Sequence, residues 1–283
     1  MIAILGGLGA AAAWALSTLC SSRSSRLIEP ASVVAWVMLT GLLISGPAAA
    51  LQGIPTRLDG SAGAWLALSG VGNVSGLVLE YRALRAGLVA LVAPIASTEG
   101  AIAAVIAMLA GEAVAPAVGA TLAMIVVGVS LSSVPATDLS DANRAKHPQA
   151  VLLAVAAAFA FGASLYATGR AGSVLPAAWV VLSARLVGTI ALAIPLASAG
   201  RLHLTRRALP LVVASGICEV LGFYSYTAGA RHGIAVTAVL SSQFAAIAAI
   251  AAYFFFGERL GRIQLAGVAT VIAGVALLST LRA

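Results

Sequence analysis

Long apolar runs separated by short polar breaks set the pattern of this chain. A membrane-crossing helix needs about 20 mostly apolar residues at 1.5 Å of rise each. With charges, Pro and Gly as punctuation, ten such runs are predicted, over 2–20, 31–51, 62–84, 88–110, 114–133, 150–169, 176–198, 209–230, 234–256 and 262–281. One connection alone is both long and polar, "PATDLSDANRAKHPQ" at 135–149. It divides the chain into five runs, 1–133, a linker, 134–149, and five more, 150–283.

The two halves repeat each other. "GEAVAPAVGATLAMIVVGVSLSS" (111–133) returns as "GERLGRIQLAGVATVIAGVALLS" (257–279), 146 positions later. The same offset pairs Ser69 with Ser215, Gly70 with Gly216, Gly76 with Gly222, Arg85 with Arg231 and Glu112 with Glu258 without a gap. Upstream, "AWVMLTGLL" (35–43) lies over "AWVVLSARL" (178–186) and "AAAWA" (11–15) over "AAAFA" (156–160). A unit of five crossings ends on the opposite side of the membrane from its start, so the second copy enters upside down. The fold class expected is an all-α integral membrane protein of ten transmembrane helices in two inverted five-helix repeats. Such repeats recur in secondary transporters, with the substrate site near the midplane between them. A duplicated bundle serving only as a scaffold is the plainer alternative.

Composition agrees with a membrane solvent. Of 283 residues, 61% are hydrophobic and 9% charged, against about 25% charged in soluble domains. The net charge of +7 is spread singly between apolar runs, which fits loop charges and gives no basic patch for nucleic acid. Cys20 and Cys218 lie inside apolar runs and read as small buried hydrophobes. The first run lacks a positive n-region and a small residue before Cys20, so a retained helix is expected rather than a signal peptide. No GxxxxGK[ST], HExxH or CxxC is present, which removes a self-contained ATP-driven pump and the common metal sites. His147, His203 and His232 fall at or outside helix ends.

The segment "YRALRAGLVALVAPIASTEGAIAAVIAMLAGE" (81–112) and its echo "YTAGARHGIAVTAVLSSQFAAIAAIAAYFFFGERL" (226–260) resemble the drug/metabolite transporter superfamily, in its EamA-like ten-helix branch. An aromatic-x-Ala-Leu-Arg turn after the third helix, Gly-Glu closing the fourth and Trp14 in the first carry the resemblance. It implies a central cavity walled by the first four helices of each repeat, with the fifth at the periphery. The family often has Pro in the middle of the fourth helix; here that place is near Glu99, and Pro94 stands five residues earlier. The resemblance leaves the substrate open among amino acids, drugs, nucleotide sugars and other metabolites.

Ionisable groups at mid-membrane cost about 2.5–3.5 kcal/mol each on insertion scales, which makes them functional candidates by default. Glu99 in helix 4, Arg185 in helix 7 and Glu219 in helix 8 have that depth. Asn73 is the repeat partner of Glu219, and Ser97 and its partner Gln243 lie near the centres of helices 4 and 9. Arg185 and Glu219 also read as a structural ion pair, and Asn73 and Gln243 as interhelical hydrogen-bonding glue. Glu99 has Ala245 as its partner, so symmetry gives no structural reason for it; it is the candidate proton-coupling group. Glu219, Phe223 and Tyr226 share a face at i, i+4 and i+7, a cradle for an organic solute or plain packing. Ser17, Ser21, Ser24 and Ser25 form a stripe that could bond backbone carbonyls alone. Glu80 and Arg82, flanking Tyr81, are placed at headgroups or a cavity mouth. Glu112 and Glu258 read as caps or anchors of the next helix, and Arg85 and Arg231 as interfacial.

The expected activity is secondary transport of a small organic solute (an amino acid, a metabolite or an organic cation) by alternating access, with proton coupling. An intramembrane enzyme, a lipid-handling protein and a non-transporting receptor are the competing classes, and no nucleophile–base or metal constellation supports the first. The candidate site is Trp14, Asn73, Glu99, Arg185, Glu219, Tyr226 and Gln243, with no cofactor, metal or nucleic acid. Partners are the solute and membrane lipids, in a monomer or homodimer of a bacterial inner membrane. Loop charges number eleven on one side and four on the other, which favours outside termini; the resemblance implies cytoplasmic ones.

Overall fold

Apolar runs in lipid must satisfy their own backbone groups, and these do so as helices. A computed structural model describes residues 1–56, 58–86, 92, 95–132, 147–244, 246–247 and 261–281, with the side chains of 132, 147, 264, 276 and 279 excepted. Among the described residues all regular structure is helical: α1 (Ile2–Leu27), α2 (Pro30–Gln52), α3 (Gly60–Ala86), α4 (Glu99–Leu109), α5 (Pro116–Ser132), α6 (His147–Val174), α7 (Ala177–Ser198), α8 (Leu209–Ala230), α9 (Ile234–Ser241) and α10 (Arg262–Leu281). Of these, α1, α2, α3, α6, α7 and α8 are long and apolar enough to span a bilayer within the described residues. Pro30 and Pro210 stand in the first turns of α2 and α8, where a missing N–H costs nothing.

Two elements differ from expectation. Helix α1 continues through Ser21–Leu27 because its serines are buried against neighbouring helices. Helix α7 carries a π-turn at Thr189–Ala193 just ahead of Pro195, a break that a continuous apolar run conceals. A tight turn precedes α4 and another follows α9. Thr98 N–H bonds Ile95 O at 3.2 Å, and Gln243 N–H bonds Leu240 O at 3.2 Å. At the 146-residue offset these i→i−3 turns fall one residue apart.

The ten helices form two inverted five-helix repeats that interleave. Helix α1 packs on α8 as α3 packs on α6; α1 on α9 matches α6 on α4; and α2 on α8 matches α7 on α3. The pairs α2–α7, α4–α9 and α5–α10 map onto themselves. Two indoles report the same exchange. Trp36 Nε1 donates to His203 O at 3.1 Å in the segment after α7, and Trp179 Nε1 donates to Gly53 O at 2.8 Å after α2.

The register of α1 on α6 needs correction. A Cβ at Gly222 would meet the Trp14 indole, and one at its repeat partner Gly76 would meet the Phe161 ring. Trp14 therefore corresponds to Phe161, while Phe159, the sequence-based partner, is 62% exposed. The alanine-rich surroundings allow two-residue slips that the sequence alone does not punish.

Candidate functional site

Between the repeats lies a cavity lined by Trp14 and Thr18 of α1, Asn73, Leu77 and Glu80 of α3, Glu99 of α4, Phe161, Ser164 and Leu165 of α6, Glu219 and Phe223 of α8, and Phe244. Its volume is about 40 Å³. That is room for a few waters, short of the roughly 300 Å³ at which solute sites begin. Glu80, Glu99 and Glu219 are each at least 94% buried, so three carboxyl groups share one enclosed space. Trp14 Nε1, Asn73 Oδ1 and Glu80 Oε1 are buried without a hydrogen-bond partner among the described residues. Buried polar atoms are normally bonded, so these point to a ligand or to water.

Four of the seven expected residues line this space: Trp14, Asn73, Glu99 and Glu219. Glu99 sits in the first turn of α4, next to Gly100, where a Cβ would run into the Ala238 carbonyl oxygen of α9. That glycine lets α4 and α9 cross closely and fixes the carboxyl group at the crossing.

The other three stand behind the lining. Arg185 is fully buried, with Nη2 3.7 Å from Glu219 Oε2, and its guanidinium lies 5.2 Å from the Phe223 ring centroid. This is the pairing expected from the sequence. It is loosely satisfied: Nη1 reaches Met38 Sδ at 3.5 Å, and Nε and Nη2 have no hydrogen-bond acceptor among the described residues. Tyr226 is fully buried and donates to Leu165 O at 3.0 Å, so its hydroxyl is committed to helix packing. Gln243 donates from Nε2 to Val239 O at 3.1 Å within its own helix.

Glu80 was not among the expected site residues. A place at headgroups or a cavity mouth was expected; it is 5% exposed and lines the cavity itself. The signal was present: Asn73, Leu77 and Glu80 repeat the i, i+4, i+7 face of Glu219, Phe223 and Tyr226 at the 146-residue offset. Proximity to the charged Arg82 and Arg85 obscured it.

The serine stripe does more than bond backbone. Ser24 donates to Ser21 O at 3.2 Å, as a helical serine does. Ser17 instead lies 2.8 Å from Ser215 Oγ and donates to Glu219 Oε1 at 3.3 Å. Ser21 lies 2.7 Å from Ser215 Oγ and 2.7 Å from the Tyr81 hydroxyl.

At the end of the bundle where α4 stops, the recurring Gly-Glu has two jobs. Gly111 has φ 99°, and the bonds Gly111 N–H to Met108 O and Glu112 N–H to Ala107 O close a Schellman turn. Glu112 then accepts from Ile234 N–H at 3.1 Å and Ala235 N–H at 3.2 Å. It caps α9 of the other repeat, and not the next helix as expected. Glu258 lies outside the described residues. At the same end Arg231 donates to Gly172 O at 2.6 Å and Leu175 O at 2.8 Å, tying α8 to the C-terminus of α6. Its repeat partner Arg85, at the opposite end, lines an open pocket of about 310 Å³ with Glu29, Arg82 and Arg201.

The family model of EamA-like transporters matches residues 1–134 and again 148–280. No curated protein matches. A solved crystal structure, titled only as that of a protein, superposes with a TM-score of 0.75 at 20% identity, over 99% of this chain and 96% of its own. At that identity the likeness is one of fold. The double family match and the interleaved ten-helix fold agree: the chain belongs to the EamA-like transporter family, integral membrane proteins that move small solutes.

Proposed function

We propose that the chain moves a small organic solute by alternating access, with the inter-repeat cavity as its site and Glu99 as the group that exchanges a proton during the cycle. The halves 1–133 and 150–283 rock about the cavity. The observation that carries this reading is the meeting of three carboxyl groups from both repeats, Glu80, Glu99 and Glu219, around one buried space. A single guanidinium, Arg185, stands behind one of them. With Arg185 engaged by Glu219, the remaining carboxyl groups favour a solute carrying an amine or another cationic group over an anion. The cavity's small volume supports an occluded arrangement that widens when one end opens. The bonds that Glu112 accepts from Ile234 and Ala235 join the two halves at one end, and breaking them is part of the cycle.

A thermal-stabilisation screen of the purified full chain against amino acids, organic amines and uncharged metabolites tests the solute class. Amine-bearing compounds should raise the melting temperature, and Trp14→Ala and Glu80→Gln should each abolish that rise. Stabilisation confined to anionic compounds would overturn the reading.

A further inference from the structure

Four side chains form an unbroken hydrogen-bonded line to Glu219. From the cavity outward it runs Glu219 Oε1, Ser17 (3.3 Å), Ser215 (2.8 Å), Ser21 (2.7 Å) and the Tyr81 hydroxyl (2.7 Å). All five residues are buried and the line draws on α1, α3 and α8. It climbs α1 from Ser17 to Ser21, one turn, toward the end of the bundle where Leu27 closes the helix. One turn further Ser25 has a buried hydroxyl with no partner among the described residues. That end also holds the open pocket lined by Arg82 and Arg85, on the turn following Tyr81.

Proton counting gives this line two states. Four links must be filled, and the four hydroxyls bring four protons. With Glu219 ionised, every link is filled only if all hydroxyls point inward, which turns Ser21 away from the Tyr81 oxygen to which it donates in this structure. With Glu219 protonated there are five protons, and the whole line can point outward. A proton arriving at the Tyr81 oxygen while each hydroxyl hands on its own leaves one proton on Glu219 Oε1 and every hydroxyl neutral. We infer that the Tyr81–Ser21–Ser215–Ser17 line is the proton path between Glu219 and the end of the bundle at Leu27.

The other repeat supplies an internal comparison. Ser164 and Thr168 of α6 stand at Ser69 where Ser17 and Ser21 stand at Ser215, but Ser164 donates to the backbone Ser69 O at 2.8 Å while Thr168 lies 2.6 Å from Ser69 Oγ. There, however, Asn73 replaces Glu219, and Thr227 replaces Tyr81 and bonds its own helix at Phe223 O. The packing motif is common to both repeats. A titratable end and a hydroxyl exit occur in one only, so helix glue does not explain them.

Glu219 is faced by Arg185 on its other oxygen, by Glu80 and Tyr81 from α3, by Glu99 from α4 and by Cys218 beside it. Protonating Glu219 also releases Arg185 from its only carboxylate partner among the described residues. The inference rests on protons moving through the transport cavity, and its test reads Glu219 without a solute.

Infrared spectroscopy after a pH jump on the purified full chain follows the carboxyl band that Glu219→Gln removes. Ser215→Ala cuts the line at its middle and should slow appearance of the band by about tenfold or more. Ser215→Thr, which keeps a hydroxyl, should restore the rate. Tyr81→Phe keeps the ring packed and should slow the band equally, which covers the case in which Ser215→Ala unfolds. A wild-type rate in Tyr81→Phe or in folded Ser215→Ala overturns the proposal, as does a Glu219 band that never titrates. Because no transport is measured, failure here is separable from failure of solute coupling at Glu99.

Discussion

Arg185 Nη2 lies 3.7 Å from Glu219 Oε2 across the interface of α7 and α8, and the arginine is fully buried. A buried pair contributes little net stability, because desolvation offsets the attraction, but a lone survivor is costly. Glu219→Leu should therefore destabilise by roughly 3–5 kcal/mol, while Arg185→Met combined with Glu219→Leu should recover most of that loss. Thermal unfolding of both variants in the same detergent measures the difference. Equal losses in the single and double variants would show that the pair is not coupled.

Glu112 caps a helix of the opposite repeat, so its removal should loosen the contact between halves and not its own helix. Glu112→Ala should cost about 1–2 kcal/mol, in line with an N-terminal cap. Hydrogen exchange should rise at the amides of Ile234 and Ala235 and leave Ala103 to Ala107 protected. Uniform exchange along α4 would contradict this assignment.

Arg231 and Arg85 are repeat partners with unlike surroundings, two carbonyl oxygens at one end and an open pocket at the other. Arg231→Ala should open its end, so a cysteine placed at Thr227 labels faster with a water-soluble maleimide. Arg85→Ala should leave that labelling rate unchanged. A rise in both, or in neither, would remove Arg231 as a latch.

Asp59 caps α3 from water. Its carboxylate accepts from Ala62 N–H and the Ser61 hydroxyl, both at 2.8 Å, and these bonds hold it below the ordinary aspartate value of 3.8. A carboxylate whose folded value is depressed stabilises above its unfolded value and loses that contribution as pH falls through the folded one. Fraying at Gly60–Ala62 should therefore grow as pH drops below the usual aspartate range, and Asp59→Asn should lessen that dependence. Amide exchange at Ala62 against pH measures it; a flat profile in the wild type would rule the cap out.

The repeats, the ten helices and the burial of Glu99, Arg185 and Glu219 were legible because membrane solvent punishes charge and irregular backbone so strongly. What the sequence hid has physical causes. Glu80 looked interfacial because two arginines follow it, although its helical face matched that of Glu219. Tyr226 shares that face, but its hydroxyl is taken by Leu165 O. The serine line needed three helices placed together, and hydroxyl partners across helices leave no trace in spacing. The α1–α6 register slipped because alanines on either side of Trp14 fit two alignments equally well.

Proton-driven accumulation in proteoliposomes by the Glu99→Gln variant tests the central claim most directly. The probe is an amine-bearing compound that stabilises the wild-type chain. Glutamine keeps the shape and hydrogen bonding of Glu99 and removes its titration. The variant should still exchange labelled probe across the membrane, yet fail to build a gradient of it when a pH difference is imposed. Accumulation equal to wild type under the same pH difference would contradict Glu99 as the coupling group and move that role to Glu219.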